Sequence, residues 1–120
     1  MNAPVMNLDV RKVGGIGVID LSGEITSAAE RRLMEAFALA TEDHPAQVLM
    51  NFEKLNFINS SGIGLLVTLL IRARRQQVRL MACGLSDHYR QIFELTRLNE
   101  AISIFATEEE ALSAVSFSAG

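Results

Sequence analysis

Extended and helical apolar patterns alternate along almost the whole of this 120-residue chain, and that alternation restricts the fold more than any other feature. Met6, Leu8 and Val10 interleave with Asn7, Asp9 and Arg11, the period-two pattern of a half-exposed edge strand. Gly14-Gly15 offers a tight turn into Gly17-Val18-Ile19-Asp20-Leu21, which makes the first two strands a hairpin. Ser22-Gly23-Glu24-Ile25-Thr26 is expected to break the second strand. Ser27 with Glu30 has capping-box spacing for a helix whose Leu33, Phe37 and Ala40 share an apolar face, and His44-Pro45 stops that helix.

Val48-Leu49-Met50-Asn51-Phe52 reads as a short apolar strand of a sheet covered on both faces, followed by the polar connection Glu53-Lys54-Leu55-Asn56. After a second helix, Val78-Arg79-Leu80-Met81-Ala82-Cys83 is another strand, ended by Gly84. Ser86 caps a third helix, in which Tyr89, Ile92, Phe93 and Thr96 fall at i, i+3, i+4 and i+7. Ile102-Ser103-Ile104-Phe105 is a last strand. Thr107 with Glu110 forms a capping box for a final helix ending near Val115, with Ser116 to Gly120 expected to fray. The order β-β-α-β-α-β-α-β-α calls for an α/β fold: a mostly parallel sheet with right-handed crossovers and one antiparallel edge strand. Length and an apolar content of 49% suit a single domain over residues 1–120, with its core within about 6–115. Val48, Leu49, Met50, Leu80, Met81, Ala82, Ile102 and Ile104 should lie in central or near-central strands, above Leu66, Leu69 and Leu70.

Where an extended segment hands over to the second helix, the chain reads Phe57-Ile58-Asn59-Ser60-Ser61-Gly62-Ile63-Gly64, followed directly by Leu65-Leu66-Val67-Thr68-Leu69-Leu70-Ile71. The residues alone leave two readings open. Ser or Asn caps helices in this position, and small residues allow close packing. Equally, a phosphate on Ser60 or Ser61 would meet free N–H groups at the positive end of the helix dipole, and a partner would meet new negative charge. Both this segment and Ser22–Thr26 follow strands and precede helices, so both should lie at the C-terminal end of the sheet, where open α/β folds carry their functional surface.

Other chemistry is missing from the pattern. A formal net charge of −3 gives no nucleic-acid footprint, and the arginines between Arg72 and Gln77 complement a helix C-terminus. Cys83 is the single cysteine, so it forms no intrachain disulfide and is expected to be a buried small hydrophobe. Gly62-Ile63-Gly64 begins a G-x-G-x-x-G pattern whose third position is Val67, there is no G-x-x-x-x-G-K-[ST] loop, and neither serine has the preceding glycine of a nucleophile elbow. His44 and His88 lack metal-ligand spacing, and Glu108-Glu109-Glu110 suits a first helical turn. No catalytic set, metal or cofactor is expected, so the chain reads as a binding protein, not an enzyme. Met1-Asn2-Ala3-Pro4 has neither a basic start nor an apolar core, and Ile63 to Ile71 falls far short of the ~20 residues that span a bilayer; a cytoplasmic location without membrane insertion is the expectation.

Over roughly Met6 to Val115 the chain resembles the STAS domain of bacterial anti-sigma factor antagonists. In that family a D-S-[S/T]-G-[L/I]-G segment starts the second helix, and its first serine is phosphorylated by a cognate anti-sigma factor with serine kinase activity. The resemblance implies that Ser60 is the phosphoacceptor, with Ser61, Gly62, Ile63 and Gly64 matching the rest. The family's first strand-to-helix loop often reads G-E-[L/I]-D, matched here by Gly23, Glu24 and Ile25. The two acidic positions are replaced by Asn59 and Thr26. The resemblance further implies a partner-binding surface made of Gly23, Glu24, Ile25, Thr26, Asn59, Ser60, Ser61, Gly62, Ile63, Gly64 and the exposed face of the second helix. The expected partner is an anti-sigma factor of the histidine-kinase-like ATPase class, with a serine phosphatase to reverse the modification. Two other functions are weighed beside it: a constitutive adaptor docked on a transporter ATPase or signalling assembly, and an enzyme in which His88 or Asp87 gathers near Ser60.

Overall fold

The computed structural model describes residues 6–119, with side chains over 6–115. Five strands form one sheet in the order β1-β2-β3-β4-β5. β1 (Met6–Val13) pairs antiparallel with β2 (Ile16–Ile25) across a two-residue turn at Gly14 and Gly15, whose φ values of 55° and 83° give the hand that matches the twist of a hairpin. β3 (Gln47–Ile58), β4 (Arg79–Cys83) and β5 (Ser103–Phe105) then join in parallel. The connections are α1 (Glu30–Ala40), α2 (Ser60–Arg75), and α3 (Asp87–Leu95) with the short α4 (Leu98–Ala101); α5 (Glu108–Ala119) closes the described chain.

Strand alternation sorts the core into two layers. Ile19, Leu21, Val48, Met50, Leu80 and Ala82 face α1, α2 and α3, packing with Leu33, Phe37, Leu66, Leu69 and Phe93. Val18, Leu49, Met81 and Cys83 face the other way, against Ala111 and Leu112 of α5. Burial at 1% exposure pushes the Cys83 thiol up to about 11. The Arg11 guanidinium on β1 bonds both Asp20 on β2 and Glu108 in the first turn of α5, pinning that helix across the sheet. The hydrogen bond from Arg11 holds the Glu108 carboxyl below the ordinary carboxylate range, against the opposing effect of burial.

Several local expectations are corrected. Ser22 to Ile25 does not break β2: it stays paired with β3 through register shifts at Asp20/Ser22 and Gly23/Glu24, and Gly23 takes a φ of 84° there. Likewise Glu53 to Asn56 is strand, not connection, because the ladder with β2 satisfies its backbone while Leu55 packs against the core and Glu53, Lys54 and Asn56 are exposed. Ser27 is not the cap of the first helix. Thr26 instead caps a short 3-10 turn over Ser27–Ala29, its Oγ1 accepting from Ala28 N–H at 3.3 Å, and α1 follows from Ala29 with no side-chain cap of its own. That helix ends at Ala40, before His44-Pro45 is reached. β5 is an edge strand that starts at Ser103, which leaves Ile104 off the centre of the sheet and Ile102 outside the strand as the buried C-cap of α4, a helix with no counterpart in the sequence pattern. α5 continues past Val115 to Ala119. The expected fraying over Ser116 to Gly120 concerns side chains and a last residue outside the described ones.

Candidate functional site

β2 and β3 extend beyond the end of β4 and finish side by side, Glu24 opposite Phe57 and Ile25 opposite Ile58. Asn59 N–H then donates to the Ile25 carbonyl at 3.2 Å, so the two segments singled out in the sequence meet at the C-terminal end of the sheet. Tyr89 on α3 supports this corner, its hydroxyl accepting from Ile58 N–H at 2.9 Å. In the sequence Tyr89 falls on the same helical stripe as Ile92, Phe93 and Thr96. The stripe is real, Tyr89 and Phe93 both being buried, and nothing local in the sequence foretold the bond across to β3.

Asn59 is the N-cap of α2. Its backbone is extended, at φ −92° and ψ −179°, and its Oδ1 accepts from Gly62 N–H at 2.8 Å. The first main-chain bond of the helix runs from Ile63 N–H to Asn59 O at 3.0 Å. Ser60 and Ser61 therefore occupy the first turn ahead of that bond, exposed, with their N–H groups at the positive end of the dipole. Asn59 does the capping, which leaves both hydroxyls uncommitted to it. Among the described residues no side-chain hydrogen bond or ion pair joins Ser60 to His88 or Asp87: His88 stacks edge-on to Tyr89 at 4.9 Å, and Asp87 faces Arg90 at 4.0 Å.

The ten expected contact residues separate into two layers. Glu24, Thr26, Asn59 and Ile63 are half-buried, as is Gly23, while Ser60, Ser61 and Gly64 are exposed. Ile25 and Gly62 are buried and hold the ends of β2 and α2 together. Gly62 has no room for a Cβ against the Ile25 carbonyl, whereas Gly64 faces open space. Further along the helix, Val67 and Ile71 are exposed at 40% and 48%, and with Ser60 and Gly64 they fall on one face at i, i+4, i+7 and i+11. Beside the corner Phe57 is 43% exposed. A pocket of about 410 Å³ lies elsewhere, on the α5 side of the sheet among Asn7, Arg11, Asp20, Asn51 and Glu53. The Ser60 corner is instead an open surface with an apolar stripe, suited to a protein partner more than to an enclosed substrate. No cluster of three or more His, Cys, Asp or Glu among the described residues is placed to hold a metal ion, and no described helix is long and apolar enough to cross a membrane.

The STAS domain family model matches residues 7–111. The chain is 27% identical over 92 residues to the anti-sigma-B factor antagonist of Listeria monocytogenes, covering 77% of this chain and 81% of that protein. Its structure superposes on the anti-sigma factor antagonist SpoIIAA in two states. The unphosphorylated form gives a TM-score of 0.71 at 26% identity, covering 91% of this chain and 97% of the other. The phosphorylated form, from Bacillus, gives 0.70 at 27%, covering 91% and 99%. An anti-sigma factor antagonist from Mycobacterium paratuberculosis shares the fold at a TM-score of 0.80 and 22% identity, covering 96% and 98%.

Proposed function

This chain belongs to the STAS domain family, and from that premise we propose that it is an anti-sigma factor antagonist switched by phosphorylation of Ser60. Unphosphorylated, it captures an anti-sigma factor and so frees a sigma factor; phosphorylated, it lets go. The observation that carries this reading is the position of Ser60, exposed at the head of the α2 face that continues through Gly64, Val67 and Ile71. Relatives named as anti-sigma factor antagonists, one of them known in both phosphorylated and unphosphorylated forms, support it.

The partner is an ATPase of the histidine-kinase-like class, which transfers the γ-phosphoryl group of its own ATP to Ser60 Oγ and releases ADP. A serine phosphatase returns the hydroxyl by hydrolysis. On this chain the phosphate would meet the first-turn N–H groups, so α2 has no reason to unfold. The partner, in a contact made for a hydroxyl, must accept ~1.5–2 units of negative charge. A repulsion of ~1.4 kcal/mol already weakens binding tenfold. Asn59 and Thr26, in place of the family's carboxylates, leave the corner less negative and ease that accommodation on this side.

The test is a titration of Ser60→Ala, Ser60→Asp and Ser61→Ala against the copurified anti-sigma factor, alongside thermal melts. Ser60→Ala should bind constitutively, Ser60→Asp should bind poorly, and both should melt close to the parent. Ser61→Ala should still accept phosphate. Equal binding by Ser60→Asp and Ser60→Ala would overturn the switch and leave a constitutive adaptor, for which a copurifying transporter ATPase would be the sign.

A further inference from the structure

We infer that the exposed face of α2 ends in a cationic anchor, formed by Arg74 and Arg75 with Arg79 nearby, which seats an acidic surface of the protein partner. This deepens the reading above, on which the same helix face meets that partner.

Charge is segregated along the chain. Residues 54–86 carry five basic side chains and no acidic one, whereas the remainder carries six basic and fourteen acidic. On α2, Arg74 and Arg75 follow Ile71 by three and four residues, and so flank the end of the stripe that starts at Ser60. Both are exposed, as are Arg72 and Arg79. Among the described residues, Arg11, Lys12, Arg31, Arg90 and Arg97 each meet a carboxylate, while none of Arg72, Arg74, Arg75 and Arg79 does.

Complementing the helix dipole accounts for cations in the last turn of α2. It does not account for Arg79, the first residue of β4. Arg74 and Arg79 line one pocket of about 320 Å³ together with Gln77 and the apolar Leu70, Val78 and Leu80. Uncompensated cations of one sign focus a positive potential, and guanidinium forks hold carboxylates bidentately. The stripe therefore joins three contacts along one helix: a hydroxyl at its head, an apolar middle, and a cationic end about fourteen to fifteen residues of helix rise, ~22 Å, from the switch. At that separation the anchor lies well beyond a Debye length of ~8 Å, so it steers the partner whether or not Ser60 carries phosphate.

Association kinetics with the copurified anti-sigma factor test this, using Arg74→Glu/Arg75→Glu, the neutral Arg74→Gln/Arg75→Gln, and Arg31→Glu on α1 as the control. The reversal should slow association about tenfold or more at low salt, with most of the effect gone at high salt and dissociation little changed. The neutral pair should fall between, the control should match the parent, and all should melt alike. In parallel, the 15N-labelled chain is titrated with a helical peptide bearing glutamates beside a leucine stripe; amides of residues 67–79 should shift, and a lysine-for-glutamate version should leave them unmoved. Unchanged association, a salt-independent defect, or peptide shifts placed elsewhere would overturn the inference. So would loss of self-association in the reversed variant, which would make the occupant a second copy of this chain. The two readings fail separately: equal binding by the Ser60 variants with a salt-dependent arginine effect removes the switch and keeps the anchor, and the converse keeps the switch alone.

Discussion

Gly62 on α2 lies directly against the main-chain carbonyl of Ile25 at the end of β2, where even a methyl group would collide with backbone. The two glycines of the motif thus do different work. Gly62→Ala is expected to cost ~1–3 kcal/mol, because the neighbour it meets is main chain and cannot swing aside. Gly64→Ala meets nothing within 4 Å and should stabilise by up to ~1 kcal/mol while weakening partner binding. Urea unfolding of both variants, with a binding titration of the second, checks the contrast.

Asn59 supplies the cap that frees the serines. Asn59→Ala should lose ~1 kcal/mol, since it removes the Oδ1 that accepts from Gly62 N–H. Asn59→Asp keeps the acceptor and adds charge at the favourable end of the dipole, a gain of ~0.3–1 kcal/mol. The same charge stands beside Ser60, so Ser60→Asp should be more destabilising in the Asn59→Asp background than alone. A double-mutant cycle by chemical denaturation measures that coupling.

The Arg11–Glu108 pair makes stability depend on acid pH. The Glu108 carboxyl is held low in the folded chain by the Arg11 hydrogen bond. Its contribution is therefore fully present above the ordinary Glu value of ~4.3 and is lost as pH falls from there through the depressed folded value. Glu108→Gln should cost ~0.2–1 kcal/mol at pH 7, as for a partly exposed pair, and should flatten the loss between about pH 5 and pH 3. Urea midpoints of parent and variant across that range decide it.

Cys83 should be silent in the native state. The thiol is buried beneath α5, and burial, with Glu108 and Glu53 adding to it, raises its pKa to about 11. Ellman's reagent at pH 8 is expected to label it only as fast as the chain opens, and completely in denaturant. Prompt labelling of native protein would show that α5 lifts from the sheet.

The element order, the hairpin at Gly14-Gly15, the Ser86 cap and the placement of the Asn59–Gly64 motif at a strand-to-helix junction were all legible in the residues, because each rests on spacing within one turn or one strand. The limits of β2 and β3 were not. Ser22 to Ile25 and Glu53 to Asn56 are poor strand formers by themselves, and they are extended because each supplies the other with a ladder. The division of labour within the motif was hidden for the same reason. Asn59 and the serines compete locally for the cap, and Gly62 and Gly64 look alike until β2 arrives beside one of them. Arg11 and Glu108, 97 positions apart, show no pattern at all in the chain and meet only once the sheet has brought β1 under the end of α5. Periodicity records which face a residue seeks; which partner it finds there is fixed by register and packing across the fold.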